Sequence, residues 1–199
     1  MGKRKYLDKI EELFEKSPVV SFSTINRIIK DKKKTEYAKQ LVRNLGRQGK
    51  IKVLAKGYYT KHDDPSLAVF CFKPAYLGLQ SALSMHGLWE QETVPIIITA
   101  TKARPGKRKI LEMNVNIRRI SKKYFFGFET YDDGFYLPYS DVEKTLIDLI
   151  VFNERISLET MANIRKRIDE KKLKEYLGEY PGAIRKKLMN SLFKSAPRK

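Results

Sequence analysis

Residues 17–60 read SPVVSFSTINRIIKDKKKTEYAKQLVRNLGRQGKIKVLAKGYYT. Ser23 to Ile29 predicts a short amphipathic helix with Ser23 as its N-cap. Thr35 to Gln48 predicts a second, reached through the basic turn Asp31-Lys-Lys-Lys34. In that helix Ala38, Leu41, Val42 and Leu45 recur at i, i+3, i+4 and i+7, the spacing of one buried face. Thr35 is read as its N-cap and Gly49 as the residue just past its end. Lys50-Ile-Lys-Val-Leu54 and Gly57-Tyr-Tyr-Thr60 then flank a tight Ala55-Lys56 connection and read as a β-hairpin. Upstream, Tyr6, Ile10, Leu13 and Phe14 set a helix over Lys3 to Glu15, ended by Ser17-Pro18. Val19, Val20 and Phe22 form a short extended stretch between them. Three helices followed by a hairpin predict a winged helix-turn-helix domain over residues 1–61, the arrangement that lays one helix in a DNA major groove.

Charge agrees with that reading. The 199-residue chain carries a formal +18, which calls for a polyanionic partner and says nothing of fold. Residues 1–61 hold 17 Lys and Arg against 6 Asp and Glu, residues 62–162 hold 12 against 13, and residues 163–199 hold 12 against 4. A basic head, a near-neutral middle and a basic tail imply separate functional segments. Cys71 is the one cysteine, so no intramolecular disulfide can form, which fits a cytoplasmic location. The basic N-terminus lacks the apolar core of a signal peptide, and no run reaches the length of a membrane span. Abundant Lys and Arg with scarce Gln and Cys lean toward a thermophilic source.

Past the polar turn His62-Asp-Asp-Pro65 a second domain is expected over residues 65–199. Ser66 to Phe72 is read as helical. Ala75 to Leu88 is read as one helix, with Tyr76, Leu79, Ala82, Leu83 and His86 on a single face. Pro95 to Ala100 and the alternating Met113 to Ile120 are read as strands. Tyr124–Tyr131 and Phe135–Tyr139 form a hairpin about Asp132-Asp-Gly134. Ser140-Asp-Val-Glu143 is read as a capping box opening an apolar helix to Phe152. Residues 157–193 continue as helices broken at Gly178 and Pro181-Gly182, before a frayed tail at Ser195–Lys199. The fold class expected is α+β: the winged helix-turn-helix, then a mixed α/β domain with a small sheet, flanking helices and a basic helical tail.

The candidate DNA-binding residues follow from the first domain. Lys39, Gln40, Arg43, Asn44 and Arg47 lie opposite the buried face of the second helix of the pair. Arg pairs with guanine, and Asn or Gln with adenine, through two hydrogen bonds each. Lys32, Lys33, Lys34 and Thr35 precede or open that helix, and Lys52 and Lys56 sit on the wing, where they would follow the phosphate backbone. The loop Thr101-Lys-Ala-Arg-Pro-Gly-Lys-Arg-Lys109 offers Lys102, Arg104, Lys107, Arg108 and Lys109 as a second nucleic-acid contact. An exposed hairpin-like connection is the plainer account of it. Arg165, Lys166, Arg167, Lys171, Lys172, Arg185, Lys186 and Lys187 read as solvated helix faces. Tyr58 and Tyr59 read as core, His86 as a packing residue and Cys71 as buried and inert. No metal site is expected, since His62, His86 and Cys71 have no zinc spacing. No cofactor signature is present, and Asp132-Asp133 beside Gly134 reads as a turn rather than a metal-binding pair.

Several segments carry a family resemblance: Gly57-Tyr-Tyr59, Pro65-Ser-Leu-Ala68, Tyr76-Leu-Gly-Leu-Gln-Ser-Ala-Leu-Ser-Met-His-Gly-Leu-Trp-Glu-Gln91, Phe125-Phe-Gly-Phe-Glu129 and Asp141-Val-Glu-Lys-Thr-Leu-Ile-Asp-Leu149. Over roughly residues 20–155 the chain resembles the AbiEi family, the antitoxins and autorepressors of type IV toxin–antitoxin operons. The resemblance implies repression of its own promoter at inverted repeats, with two copies on the duplex. It also implies an antitoxin domain that counters a nucleotidyltransferase-like toxin without stable contact. The chain is therefore expected to bind double-stranded DNA, to have no membrane partner and not to be an enzyme. The alternatives are a stand-alone regulator without a toxin, or an RNA-binding module using residues 102–109 and the tail.

Overall fold

The computed structural model describes residues 2–29, 34–91, 93–132 and 134–193, with side chains from residue 6 to 190. It is a mixed α+β structure with two sheets. The N-terminal part runs α1 (Gly2–Lys16), β1 (Val20–Ser21), α2 (Phe22–Ile28), α3 (Lys34–Arg47), β2 (Lys52–Ala55) and β3 (Tyr58–Thr60). The three helices meet over Ile10, Phe14, Ile25, Ile29, Ala38, Leu41, Val42 and Leu45, all buried. These are the residues whose helical spacing the sequence displays.

Three local readings in this part need correction. The N-cap of α2 is Ser21, not Ser23: Ser21 is extended and its hydroxyl accepts the Thr24 N–H at 3.1 Å. It can do so because Ser21 ends β1, paired with Tyr58 of β3, and the chain turns into helix at once. Thr35 is not a cap, since α3 already includes Lys34. The hairpin turn is Lys56-Gly57 rather than Ala55-Lys56, because the required positive φ is found at Gly57 (+80°). Gly49 does end α3 as expected. At φ +69° it donates to Gly46 O, and Lys50 donates to Leu45 O, both at 3.0 Å, which satisfies two terminal carbonyls.

The short stretch at Val19–Ser21 matters more than its length implies. It supplies β1, and the small sheet has the order β1-β3-β2. One face of this sheet, with Val20, Ile51 and Tyr59, closes the three-helix core. The other, with Val19, Leu54 and Tyr58, packs into the core of the remaining chain.

A 3-10 helix (Pro65–Phe72), capped by Asp64, leads into β4 (Ala75–Leu77), α4 (Gln80–Met85), β5 (Ile96–Thr99), β6 (Gly106–Ile110) and β7 (Met113–Arg119). After a 3-10 turn at Lys122–Tyr124 come β8 (Phe128–Tyr131), β9 (Leu137–Ser140), α5 (Val142–Val151), α6 (Leu158–Arg167), α7 (Glu170–Gly178) and α8 (Gly182–Phe193). The six strands form a mixed sheet in the order β6-β7-β5-β4-β9-β8. β4 runs antiparallel to β5 and parallel to β9, and β5 runs parallel to β7. Tyr76, Ile96 and Ile98 face the helices, while Leu77, Ile97, Val115, Ile117 and Leu137 face the 3-10 helix and the small sheet. No helix among the described residues is long and apolar enough to cross a membrane.

The single helix expected over Ala75–Leu88 is a strand followed by a short helix. Ala75-Tyr-Leu77 is buried on both faces, so its apolar run has no alternation to distinguish strand from helix. Leu79, at φ +56°, breaks the chain between the two elements. The capping box at Ser140–Glu143 is also overturned. Ser140 is still paired in β9, opposite Phe128, and its hydroxyl lies 2.7 Å from that of Thr145. Asp141 caps α5 instead, accepting the Lys144 N–H at 2.7 Å. Glu143 reaches forward to the Asp169 N–H at 2.8 Å.

Helix α5 is buried nearly all round, charges included: Lys144 and Asp148 are both fully buried and form an ion pair. The Tyr76 hydroxyl donates to the other Asp148 oxygen at 2.7 Å. The Lys144 ammonium lies 5.6 Å from the ring centres of Tyr76 and Phe126 and 5.9 Å from that of Tyr180. Burial pushes the carboxyl of Asp148 up and the ammonium of Lys144 down, and each partner opposes the other's shift. Lys144→Met should cost about 3–5 kcal/mol in chemical denaturation, because it leaves Asp148 as an unpaired buried charge. Adding Asp148→Asn, which keeps an acceptor for Tyr76, should restore a large part of that loss.

Candidate nucleic-acid interface

The outward face of α3 is set by its inward one. With Ala38, Leu41, Val42 and Leu45 buried, Glu36, Lys39, Gln40, Arg43, Asn44 and Arg47 are all exposed. Arg43 and Arg47 are one turn apart, near 6 Å along the axis at 1.5 Å per residue. Among the described residues neither has a carboxylate within ion-pair distance. Lys39 lies 3.7 Å from Glu36, so its charge is partly offset, but weakly at so exposed a site. Gln40 and Asn44 border a recess shared with Leu7 of α1 and with Tyr37, Leu41, Leu45 and Gln48. The five sequence candidates thus divide: Arg43 and Arg47 point outward with no carboxylate partner among the described residues, Lys39 is paired with Glu36, and the amides of Gln40 and Asn44 lie toward α1.

Lys34 opens α3 and is exposed, and Thr35 is half-buried. Lys32 and Lys33 lie outside the described residues, as do Asp133 of the proposed turn pair and the tail from Lys194. On the hairpin, Lys52 is ion-paired with Asp63. Lys56 occupies the turn and is exposed. Tyr58 and Tyr59 pack into the two different cores, as expected of core residues.

The second basic group is not a simple loop. Lys102 and Arg104 precede β6, while Lys107, Arg108 and Lys109 lie on it, and β6 is an edge strand paired with β7. Lys109 is paired with Glu112 at 2.5 Å. Arg108 donates to Arg104 O at 2.9 Å and holds its guanidinium 5.2 Å from the centre of the Phe72 ring. Lys102, Arg104 and Lys107 are exposed. Strand β2 of the hairpin lies against β6. Two basic segments some fifty residues apart in sequence therefore meet in space.

On the basic helices of the C-terminal part, Lys166, Lys171 and Lys186 are exposed, as solvated faces would be, but four other cations reach partners. Arg167 donates to His86 O at 2.5 Å, Arg185 to Tyr180 O at 3.0 Å and Lys187 to Ile150 O at 3.3 Å. Lys172 sits 3.1 Å from Asp141 and 3.4 Å from Glu143. These cations hold helix ends together; the partners of Arg167, Lys172 and Lys187 are too distant in sequence to be seen there, while Tyr180 lies five residues from Arg185. His86 is satisfied as expected, with Nε2 2.9 Å from Ser140 O and its ring near Tyr139. Among the described residues no group of three or more His, Cys, Asp and Glu could hold a metal ion. The cluster that sequence reading missed is Tyr76, Lys144 and Asp148. Its signal was present as Lys144 and Asp148 at i, i+4 within a largely apolar helix.

No protein-family model matches the chain, and no curated protein is similar to it in sequence at a significant level. Solved structures do match. The crystal structure of the RV2827C protein from Mycobacterium tuberculosis superposes with a TM-score of 0.64 over 96% of this chain and 78% of that one, at 14% identity. Identity that low relates the folds alone.

Cys71 is half-buried between Phe70 and Phe72, and burial pushes its thiol up to about 12. At pH 8 an aromatic disulfide reagent should modify it about a hundredfold more slowly than a free thiol, since only the thiolate reacts and its small fraction is partly offset by its greater nucleophilicity. Denatured protein should react at once; equally fast reaction of the native form would contradict the burial.

Proposed function

We propose that this chain is a sequence-specific DNA-binding repressor whose residues 1–61 act as a winged helix-turn-helix, with α3 in the major groove and Lys56 of the hairpin on the backbone. The observation that carries the reading is the exposed, uncompensated pair Arg43 and Arg47 on α3, directly followed by a hairpin tipped with a lysine. Bidentate guanine recognition needs guanidiniums free of local carboxylates, and among the described residues none lies within ion-pair distance of these two. Two copies on inverted half-sites would block the promoter of the chain's own operon. The AbiEi resemblance extends the reading to an antitoxin that counters a nucleotidyltransferase-like toxin. Its supporting residues have structural work: Tyr76, Lys144 and Asp148 fall within the resembling segments and form the buried cluster. They support a shared scaffold, and the toxin half of the proposal rests on the resemblance itself.

The test is binding of full-length protein to the duplex upstream of its gene, against a scrambled duplex and single-stranded RNA of equal length. Arg43→Ala and Arg47→Ala should each weaken the upstream complex by about 1–3 kcal/mol and narrow its margin over the scrambled duplex. Protection should appear as two half-sites whose centres are about 10–10.5 base pairs apart, or a multiple of that. Equal binding to all three probes, unchanged by the substitutions, would overturn the reading.

A further inference from the structure

We infer that the second half of the chain is also part of the DNA interface, with Lys102, Arg104, Lys107 and Arg108 gripping phosphates that flank the stretch read by α3, on the hairpin side. The inference rests on the DNA-binding reading above and names a surface that reading does not contain.

Position carries it first. β2 is the edge strand of the small sheet and β6 the edge strand of the large one, and the two edges lie against each other. Leu54 of β2 sits in the same core as Ile110 at the end of β6. The hairpin is thus fixed beside the basic strand. A duplex that lies along the hairpin meets β6 next.

Charge carries it second. Of the five cations at residues 102–109, Lys109 is the one with a carboxylate partner among the described residues, Glu112. Arg108 is held by a backbone carbonyl and an aromatic face, which orient the guanidinium and leave its charge intact. Lys102, Arg104 and Lys107 are exposed, and solvated cations without anions are what releases counterions from a phosphate backbone.

The chemistry of the surface also selects among nucleic acids. Single strands are gripped by exposed aromatic rings on which bases stack. Here the ring beside the basic strand is Phe72, with Arg108 laid over it, and the strand itself contains no aromatic residue. Cations without a stacking platform fit the phosphates of a duplex, contacted without regard to sequence.

The experiment compares full-length Lys102→Gln/Arg104→Gln/Lys107→Gln protein with the Arg43→Ala/Arg47→Ala variant. Arg108 is left in place because it packs on Phe72, and an unchanged melting temperature of the triple variant checks that it folds. Anisotropy titrations use the upstream duplex, the scrambled duplex and single-stranded RNA over a salt series, with hydroxyl-radical footprinting on the upstream duplex. The triple variant should weaken both duplexes by a similar factor of ten or more. Its salt dependence should flatten by about two to three in log–log slope. The footprint should shorten at the hairpin side while the central protection stays. The α3 variant should instead lose discrimination between the duplexes. An unchanged slope and footprint in the triple variant, with the α3 variant impaired, overturns this inference and leaves the repressor reading standing. Loss confined to the RNA probe assigns the strand to RNA and overturns it too. An α3 variant that binds like the parent sinks the repressor reading, and this inference with it.

Discussion

A three-stranded sheet with an apolar core against each face is the constraint on which the architecture turns. Ile51 and Tyr59 belong to the three-helix core; Leu54 and Tyr58 belong to the core under the large sheet. Burying one leucine side chain is worth roughly 1.5–3 kcal/mol, so lifting the hairpin off either core would be costly. A hairpin anchored on both sides cannot bend freely to follow a ligand. It can offer only its turn, at Lys56, and the outer strand β2 beside β6. Any surface that continues it must already be in place, as β6 is.

The second constraint is the buried pair in α5. A fully buried lysine and aspartate raise the cost of the folded state unless every donor and acceptor is met. Asp148 meets Lys144 and Tyr76, and Lys144 is ringed by three aromatic faces. Gly127 completes the fit: a Cβ there would come within 2.8 Å of both Lys144 and Tyr176. At the start of the helix, Asp141 and Glu143 bind Lys172 and the start of α7. Polar bonds with strict geometry thus tie α5 to β4 and to α7, where apolar contacts alone would tolerate sliding. This gives a segment such as Asp141–Leu149 a structural reason to be distinctive in sequence.

Legibility in the sequence followed the range of the signal. Helices α1 and α3, the alternating strand β7, the hairpin about Gly134 and the C-cap at Gly49 all announce themselves within a few residues, and all are found. Ala75–Leu77 failed because a strand buried on both faces has no period, and the apolar helix behind it lent its own. Ser140 failed as a cap because strand pairing with Phe128, invisible locally, already held it. Ser21 was passed over for Ser23 because a two-residue strand leaves almost no trace. In the candidate interface, the exposed face of α3 could be read directly from its buried one. The juxtaposition of β2 and β6, and the partners of Arg167, Lys172 and Lys187, depend on long-range packing and could not be.

Charge counted along the chain also hides charge arranged in space. Residues 62–162 are close to neutral by count, a sum that on its own gives a polyanion no reason to bind there. Yet Asp141, Glu143 and Asp148 are buried and bonded within the fold, while Lys102, Arg104 and Lys107 stand at an open edge. Carboxylates sequestered in a core with partner cations contribute little field at the surface, where solvent and salt act on what is exposed. A segment neutral in sum can therefore present a positive face. Here that face adjoins the hairpin of the basic N-terminal part, so the +11 of residues 1–61 understates the extent of contiguous positive surface.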